Sequence, residues 1–457
     1  MVAVVFAVGH HAYAALAAAG IFGLTLMRFP VGRLAVFILG GLALMGGTSG
    51  LGPTKILYAG IVVTCFVISW WRVSRSSDED YRRPAKLAQR ASGAMFLAMA
   101  LAVAVGYSSG HDLSLIGQDA FTYFLIAVSP VIGLDAGMKG SMRAVRTLTV
   151  AAGSVAAISW AVWWLARRGS SIAGLERLTM VTSFLGFAVF AIALTLAVNA
   201  SSRMGSAAWI AFAAAIPIIY IAAGSRSMVV FAAGLLGVVG ASRYGRLAPG
   251  RFALLAAAIG SAAVAVLPIV ILAVPDGDRI LQRFTRTLEL LENDSIGRDG
   301  SVIERSRAYE FTAALFQQSP GVGQGFGHVY PSVSGEASGD LKVDSPLLIF
   351  SKFGILGAVA VIGFLALVWL VVRALDGPGE LRMGQTVLRV FVWITVFRMA
   401  FVAPTEDKGF AYAIALMICF AATASRFPDQ FLRSKPRGAR AGTTTSATRQ
   451  RLLARTR

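Results

Sequence analysis

Apolar runs of membrane-spanning length recur along this chain, separated by short polar stretches that hold most of its charge. A helix rises 1.5 Å per residue, so about 20 apolar residues cross a hydrocarbon core roughly 30 Å thick. Backbone in lipid must satisfy its own hydrogen bonds, which leaves helices as the spanning element for runs of this length. The runs fall near 3–27, 34–50, 55–71, 92–108, 119–137, 147–166, 178–199, 206–223, 228–242, 252–274, 345–373, 386–404 and 409–425. They predict about thirteen spans, or about twelve if the short pair around Gly224 is one broken helix. The expected fold class is an all-α polytopic integral membrane protein. Composition agrees: 14% of the residues are charged and 56% hydrophobic, whereas a soluble domain carries roughly 25% charge.

The formal charge of +19 raises nucleic acid as a partner, but the placement of the charge excludes it. Lys and Arg lie in short loops and at the C-terminus, with no basic stripe interleaved with aromatics. That pattern fits anionic lipid headgroups and the positive-inside bias. Arg28 and Arg33, then Arg72 to Arg90, then Lys139, Arg143 and Arg146, then Arg243, Arg246 and Arg251, then Arg373, Arg382 and Arg389, all fall on one side of a thirteen-span chain. That side is expected to be cytoplasmic; the basic loop Arg167–Arg177 is the exception. The first run reads as the first of the series rather than a cleavable leader. Cys65 and Cys419 lie within apolar runs and read as small hydrophobes.

This reading divides the chain into membrane helices over 1–274, an outer loop over 275–344, further membrane helices over 345–425 and a basic disordered cytoplasmic tail over 426–457. The outer loop is where chemistry is expected, since binding and catalytic residues concentrate on loops. Within it, Ile280, Leu281, Phe284, Leu288 and Leu291 predict an amphipathic helix on the membrane surface. A second helix is predicted over Ser301–Ser319, with Glu304, Arg305 and Arg307 near its start and Phe311, Ala314 and Leu315 on one face. It ends at Pro320, followed by Gly321-Val-Gly-Gln-Gly-Phe-Gly327, His328 and Tyr330. The glycine run follows a helix rather than a strand, so a nucleotide loop fails on context. A tight turn against a ligand or a neighbouring helix is expected instead.

Arg226 sits in a short polar turn between apolar runs at the expected outer face, and Arg398 lies inside an apolar run. An arginine at such a depth marks function unless it snorkels or pairs, for Arg398 with Glu406 or Asp407. Guanidinium groups bind phosphate oxygens bidentately and keep their charge, which suits a lipid-linked diphosphate at the interface. They can stabilise charge growing on a departing diphosphate with no metal ion, while a carboxylate or imidazole takes a hydroxyl proton.

Gly224-Ser-Arg-Ser227, the spacing Arg307, Phe311, Leu315, then Pro320-Gly-Val-Gly323, Asp344-Ser-Pro-Leu-Leu348 and Phe353-Gly-Ile-Leu-Gly357 occur in that order. Together they resemble the bacterial O-antigen ligases and O-antigen polymerases, over the segment from Gly224 to Gly357. The resemblance implies a metal-independent membrane glycosyltransferase of the C-type fold, without a cofactor, in a bacterial inner membrane and with its active face periplasmic or extracellular. It implies that Arg226 and Arg307, with Arg305 as competitor, bind the undecaprenyl diphosphate of the glycan donor. Arg398 joins this diphosphate-binding set on its own surroundings. The His-Asn pair usual in ligases is replaced by Val343-Asp344-Ser345, nearer to many polymerases. Asp344 is thus the first candidate base, before His328 and Glu304.

The expected activity is transfer of a glycan from undecaprenyl diphosphate to an acceptor hydroxyl, on a glycan or lipid, with inversion. The alternatives are a secondary transporter or lipid-linked glycan flippase, which should show two related halves, and a non-catalytic scaffold. No internal repeat is visible.

Overall fold

In the computed structural model, residues 26–44, 53–167, 173–198, 200, 202–222, 300–330, 345–375, 387–389, 391–392, 395 and 408–426 are described. They form α1 (Pro30–Ala35), continued through a π-helical turn (Val36–Gly40) into α2 (Gly41–Leu44), then α3 (Pro53–Ser74), α4 (Glu79–Ser108), α5 (Leu113–Lys139), α6 (Met142–Arg167), α7 (Ala173–Val198), α8 (Arg203–Ala222), α9 (Gly300–Gln318), α10 (Leu348–Leu375) and α11 (Lys408–Arg426). No strand occurs among the described residues. Lys55–Ser74, Glu79–Ser108, Leu113–Lys139, Leu348–Leu375 and Gly409–Arg426 are long and apolar enough to cross a membrane. The expected spans near 3–27, 34–50, 228–242, 252–274 and 386–404, the helix over 279–292 and the basic tail lie wholly or partly outside the described residues.

Helix starts follow local chemistry. Asp112 caps α5, its carboxylate accepting from the Ser114 amide at 2.7 Å and the Leu115 amide at 3.4 Å. Asp78 does the same for α4, accepting from the Asp80 amide at 3.2 Å. These bonds satisfy N–H groups that have no partner inside a helix.

The bundle is arranged around α5, which is buried almost continuously from Phe121 to Met138. Helices α1, α3, α4 and α11 all pack on it, and α10 packs most extensively against α4. Where α5 meets α11, Gly133 approaches the Ala415 carbonyl so closely that a Cβ would fall 2.3 Å from its oxygen. Small residues of this kind let helix backbones draw together where lipid supplies no hydrophobic drive between helices. The outer helices keep one apolar face uncovered: Ile56, Val63 and Val67 on α3, Leu97 and Val103 on α4, Ile355, Val359 and Ile362 on α10. Exposed apolar residues on three such helices are what a lipid-facing surface requires, and a multi-pass membrane protein accounts for them.

The two ends of the bundle differ. At one end, Tyr81 donates to the Ala422 carbonyl at 2.9 Å, and Arg426 donates to the Met138 carbonyl at 2.5 Å. Arg33 there is closed off from solvent, with 1% exposure. It pairs with Asp135, donates from Nη1 to the Met27 carbonyl at 2.7 Å and contacts Ser69 Oγ at 3.1 Å. Ser69 and Arg72 complete the Asp135 partners at 2.9 and 3.3 Å. This corrects the reading of Arg33 as a loop cation at the headgroups. The chain turns into α1 at Pro30, before the expected span, so Arg33 falls inside the helix and needs a buried partner. Several loops assigned to one side by their basic residues do share this end.

Candidate functional site at a broken helix

The opposite end joins α9, the glycine run, α10 and the turn between α4 and α5. Helix α9 buries Ala308, Thr312 and Leu315, which corrects the expected face in one respect. Ala314 is exposed, because the buried row follows 308, 312 and 315 and passes beside it. Phe311 is half-buried and meets Tyr330 edge-on, with ring centroids 6.0 Å apart. Thr312 Oγ1 lies 2.7 Å from Ser345 Oγ in a buried contact that ties α9 to the chain entering α10.

Helix α10 is broken at Gly354, where φ is +59° and ψ −167°. A break inside a span frees backbone groups that lipid cannot satisfy. The glycine run satisfies them. Gln324 and Gly325 donate to the Ser351 and Lys352 carbonyls at 2.8 and 3.0 Å, while Ile355 and Leu356 donate to the Pro320 and Gly321 carbonyls at 2.8 and 3.1 Å. Phe326 then donates to the Ala102 carbonyl of α4 at 2.9 Å. The turn expected from the glycines is therefore formed against neighbouring helices. Gly354 has to be glycine on two counts: its φ is positive, and a Cβ would fall 2.4 Å from the Gly321 carbonyl oxygen.

Beneath this loop lies an ion pair that no sequence motif announces. Lys352 Nζ is 2.7 Å from Asp119 Oδ1, with side-chain exposures of 0% and 1%. Asp119 Oδ2 accepts from the Gly327 amide at 3.3 Å. Tyr123, one turn along α5, stacks on Phe326 and lies 5.9 Å from the ammonium group. A weaker signal was present, since an acid and a lysine inside apolar runs are costly in a membrane and mark a pair or a site.

His328 follows immediately. It is half-buried, 5.6 Å from the His111 ring and 5.0 Å from the Tyr330 ring. Its burial, and next the His111 and Lys352 charges, push the imidazole below its ordinary value. His111 Nδ1 is 2.8 Å from the Phe326 carbonyl. Of the other expected site residues, Arg307 lies on α9 and is exposed, one helical turn before Phe311. Glu304 and Arg305 lie on the same helix, and their side chains are outside the described residues. Arg226, Arg398 and Asp344 also lie outside them. Among the described residues no cluster of His, Cys, Asp or Glu is arranged to hold a metal ion. Cys65 and Cys419 are both buried thiols without a disulfide.

No protein-family model matches the chain, and a search of curated proteins finds no significant match.

Proposed function

We propose that the chain is a cell-envelope polysaccharide polymerase or ligase of the O-antigen type. It moves a glycan from undecaprenyl diphosphate to an acceptor hydroxyl at the outer leaflet of a bacterial inner membrane. The observation that carries this reading is the packing of three separated motifs into one assembly. The Pro320–Gly327 run meets the Phe353–Gly354 break through the backbone bonds described above, and the Arg307 helix joins them through the Phe311–Tyr330 and Thr312–Ser345 side-chain contacts. Each motif is short, so their convergence at one end of the bundle supports the resemblance better than any one of them.

In this reading Arg226 and Arg307, or Arg305 in place of Arg307, hold the diphosphate, and Arg398 belongs to the same set. The acceptor oxygen attacks the anomeric carbon as the bond to the diphosphate breaks and its electron pair leaves with the phosphate. The hydroxyl proton passes to a base, and the single displacement inverts the anomeric centre. His328 gains weight as that base beside Asp344, since an imidazole held neutral can accept a proton at neutral pH.

The broken α10 and its buried ion pair favour a second reading, a transporter or lipid-linked glycan flippase, because broken helices also line transport sites. Glycan analysis of a deletion strain separates the two. Single lipid-linked repeat units accumulating on the outer leaflet support a polymerase, and free polymer failing to reach its carrier supports a ligase. Lipid-linked units trapped on the inner leaflet indicate a flippase. A normal envelope glycan profile rejects the enzyme reading.

A further inference from the structure

Resting on that reading, we propose that Asp119 and Lys352 are positioning residues: they clamp the glycine loop across α5 and α10 and so fix where His328 stands.

The clamp has two arms, and Lys352 belongs to both. Its carbonyl, freed by the break at Gly354, accepts from the Gly325 amide at 3.0 Å. Its ammonium group reaches Asp119, whose second oxygen accepts from the Gly327 amide. Gly325 and Gly327 are thus tied to one lysine, one directly and one through the carboxylate. Phe326 between them is held by Tyr123 on one side and by the Ala102 carbonyl on the other. Three consecutive loop residues are fixed to three helices, and His328 is the next residue along the chain.

Stability alone does not account for such a pair. Removing two charges from water is costly, and buried pairs replaced by apolar side chains of similar volume often leave a protein as stable or more so. What apolar side chains cannot supply is the acceptor for the Gly327 amide. Taking out both charges is therefore expected to release the loop while the bundle stands.

The test uses the full-length protein in lipid nanodiscs, together with complementation of the deletion strain. The informative variant is Asp119→Leu/Lys352→Met, which removes both charges at once. It is expected to insert to the wild-type level and to unfold at a similar temperature. Amide exchange in the peptide covering 320–330 should quicken by about tenfold, and polymer should fall by up to about a hundredfold, as a displaced catalytic group permits. Lys352→Arg, which keeps the charge, should retain most of the polymer. Wild-type exchange and wild-type polymer in the double variant overturn the proposal, and so does faster exchange with undiminished polymer. Should that variant fail to insert, the smaller Asp119→Ala/Lys352→Leu, which likewise removes both charges and the acceptor, carries the test under the same criteria. If the wild-type chain restores no polymer, the proposed function falls. The exchange measurement then decides the clamp independently.

Discussion

Gly106 on α4 and Gly325 in the glycine loop face each other so closely that a Cβ on Gly325 would lie 2.3 Å from the Gly106 amide nitrogen. The approach is mutual, since a Cβ on Gly106 would lie 2.2 Å from the Phe326 carbonyl oxygen. Both obstacles are backbone, so no rotamer change relieves them. Gly106→Ala should cost about 1–3 kcal/mol by overpacking. Gly325→Ala should cost about 1–2 kcal/mol beyond that, because its φ of +76° disfavours any Cβ. Thermal unfolding of the purified variants checks the order, and an unchanged Tm for Gly325→Ala would contradict the described contact.

The Arg33–Asp135 pair makes a prediction about partners rather than charges. Arg33→Met alone leaves Asp135 buried with only part of its shell, and Asp135→Leu alone strands Arg33. Each should lose about 3–5 kcal/mol. The double replacement Arg33→Met/Asp135→Leu should recover much of that loss, measured as the coupling term of a double-mutant cycle. Additive losses would show that the two side chains act independently.

Arg307 is exposed on α9, so its removal separates function from folding. Arg307→Ala should change stability by no more than about 0.5 kcal/mol and still abolish polymer formation in complementation. Arg307→Lys should fail as well, because an ammonium group lacks the planar fork that matches diphosphate oxygens. Full polymer from either variant would remove Arg307 from the donor site.

The depressed His328 fixes the sign of one pH effect. In the unfolded chain this histidine takes up its proton near its ordinary value, whereas the folded protein resists protonation until lower pH. Its contribution to stability is fully present above the ordinary histidine value and is lost as pH falls through the lowered one. A His328→Gln variant should therefore show a shallower loss of stability on mild acidification than the wild type. Activity in the wild type should extend further toward acid than an unperturbed histidine allows, read from the pH profile of transfer. Identical acid slopes in the two proteins would refute the assignment.

The positions of the helices were legible in the sequence because the signal for a span is local. The runs near 55–71, 92–108, 119–137 and 345–373 each lie within one described helix or overlap it almost wholly. The glycine run was legible in kind, as a close approach, since glycines so closely spaced serve positive φ or tight backbone contact. The break at Gly354 was not, because a glycine in an apolar run reads the same whether the helix continues or stops. The Lys352–Asp119 and Arg33–Asp135 pairs were hidden for a different reason. Partners far apart in sequence meet only through the packing of α5 with its neighbours, and no spacing rule encodes that meeting. Acids inside apolar runs single out Asp119 and Asp135 without naming their partners.

The break in α10 also bears on how the protein is made. The backbone groups opened at Gly354 are answered mostly by Pro320, Gly321, Gln324 and Gly325, residues synthesised shortly before the helix itself. The ribosome therefore releases the defect and its cover together. The bond from Phe326 to Ala102 needs α4, which entered the bilayer long before. The loop and helix can thus pair with each other as they leave the ribosome, and the bond onto α4 is left to a later docking step.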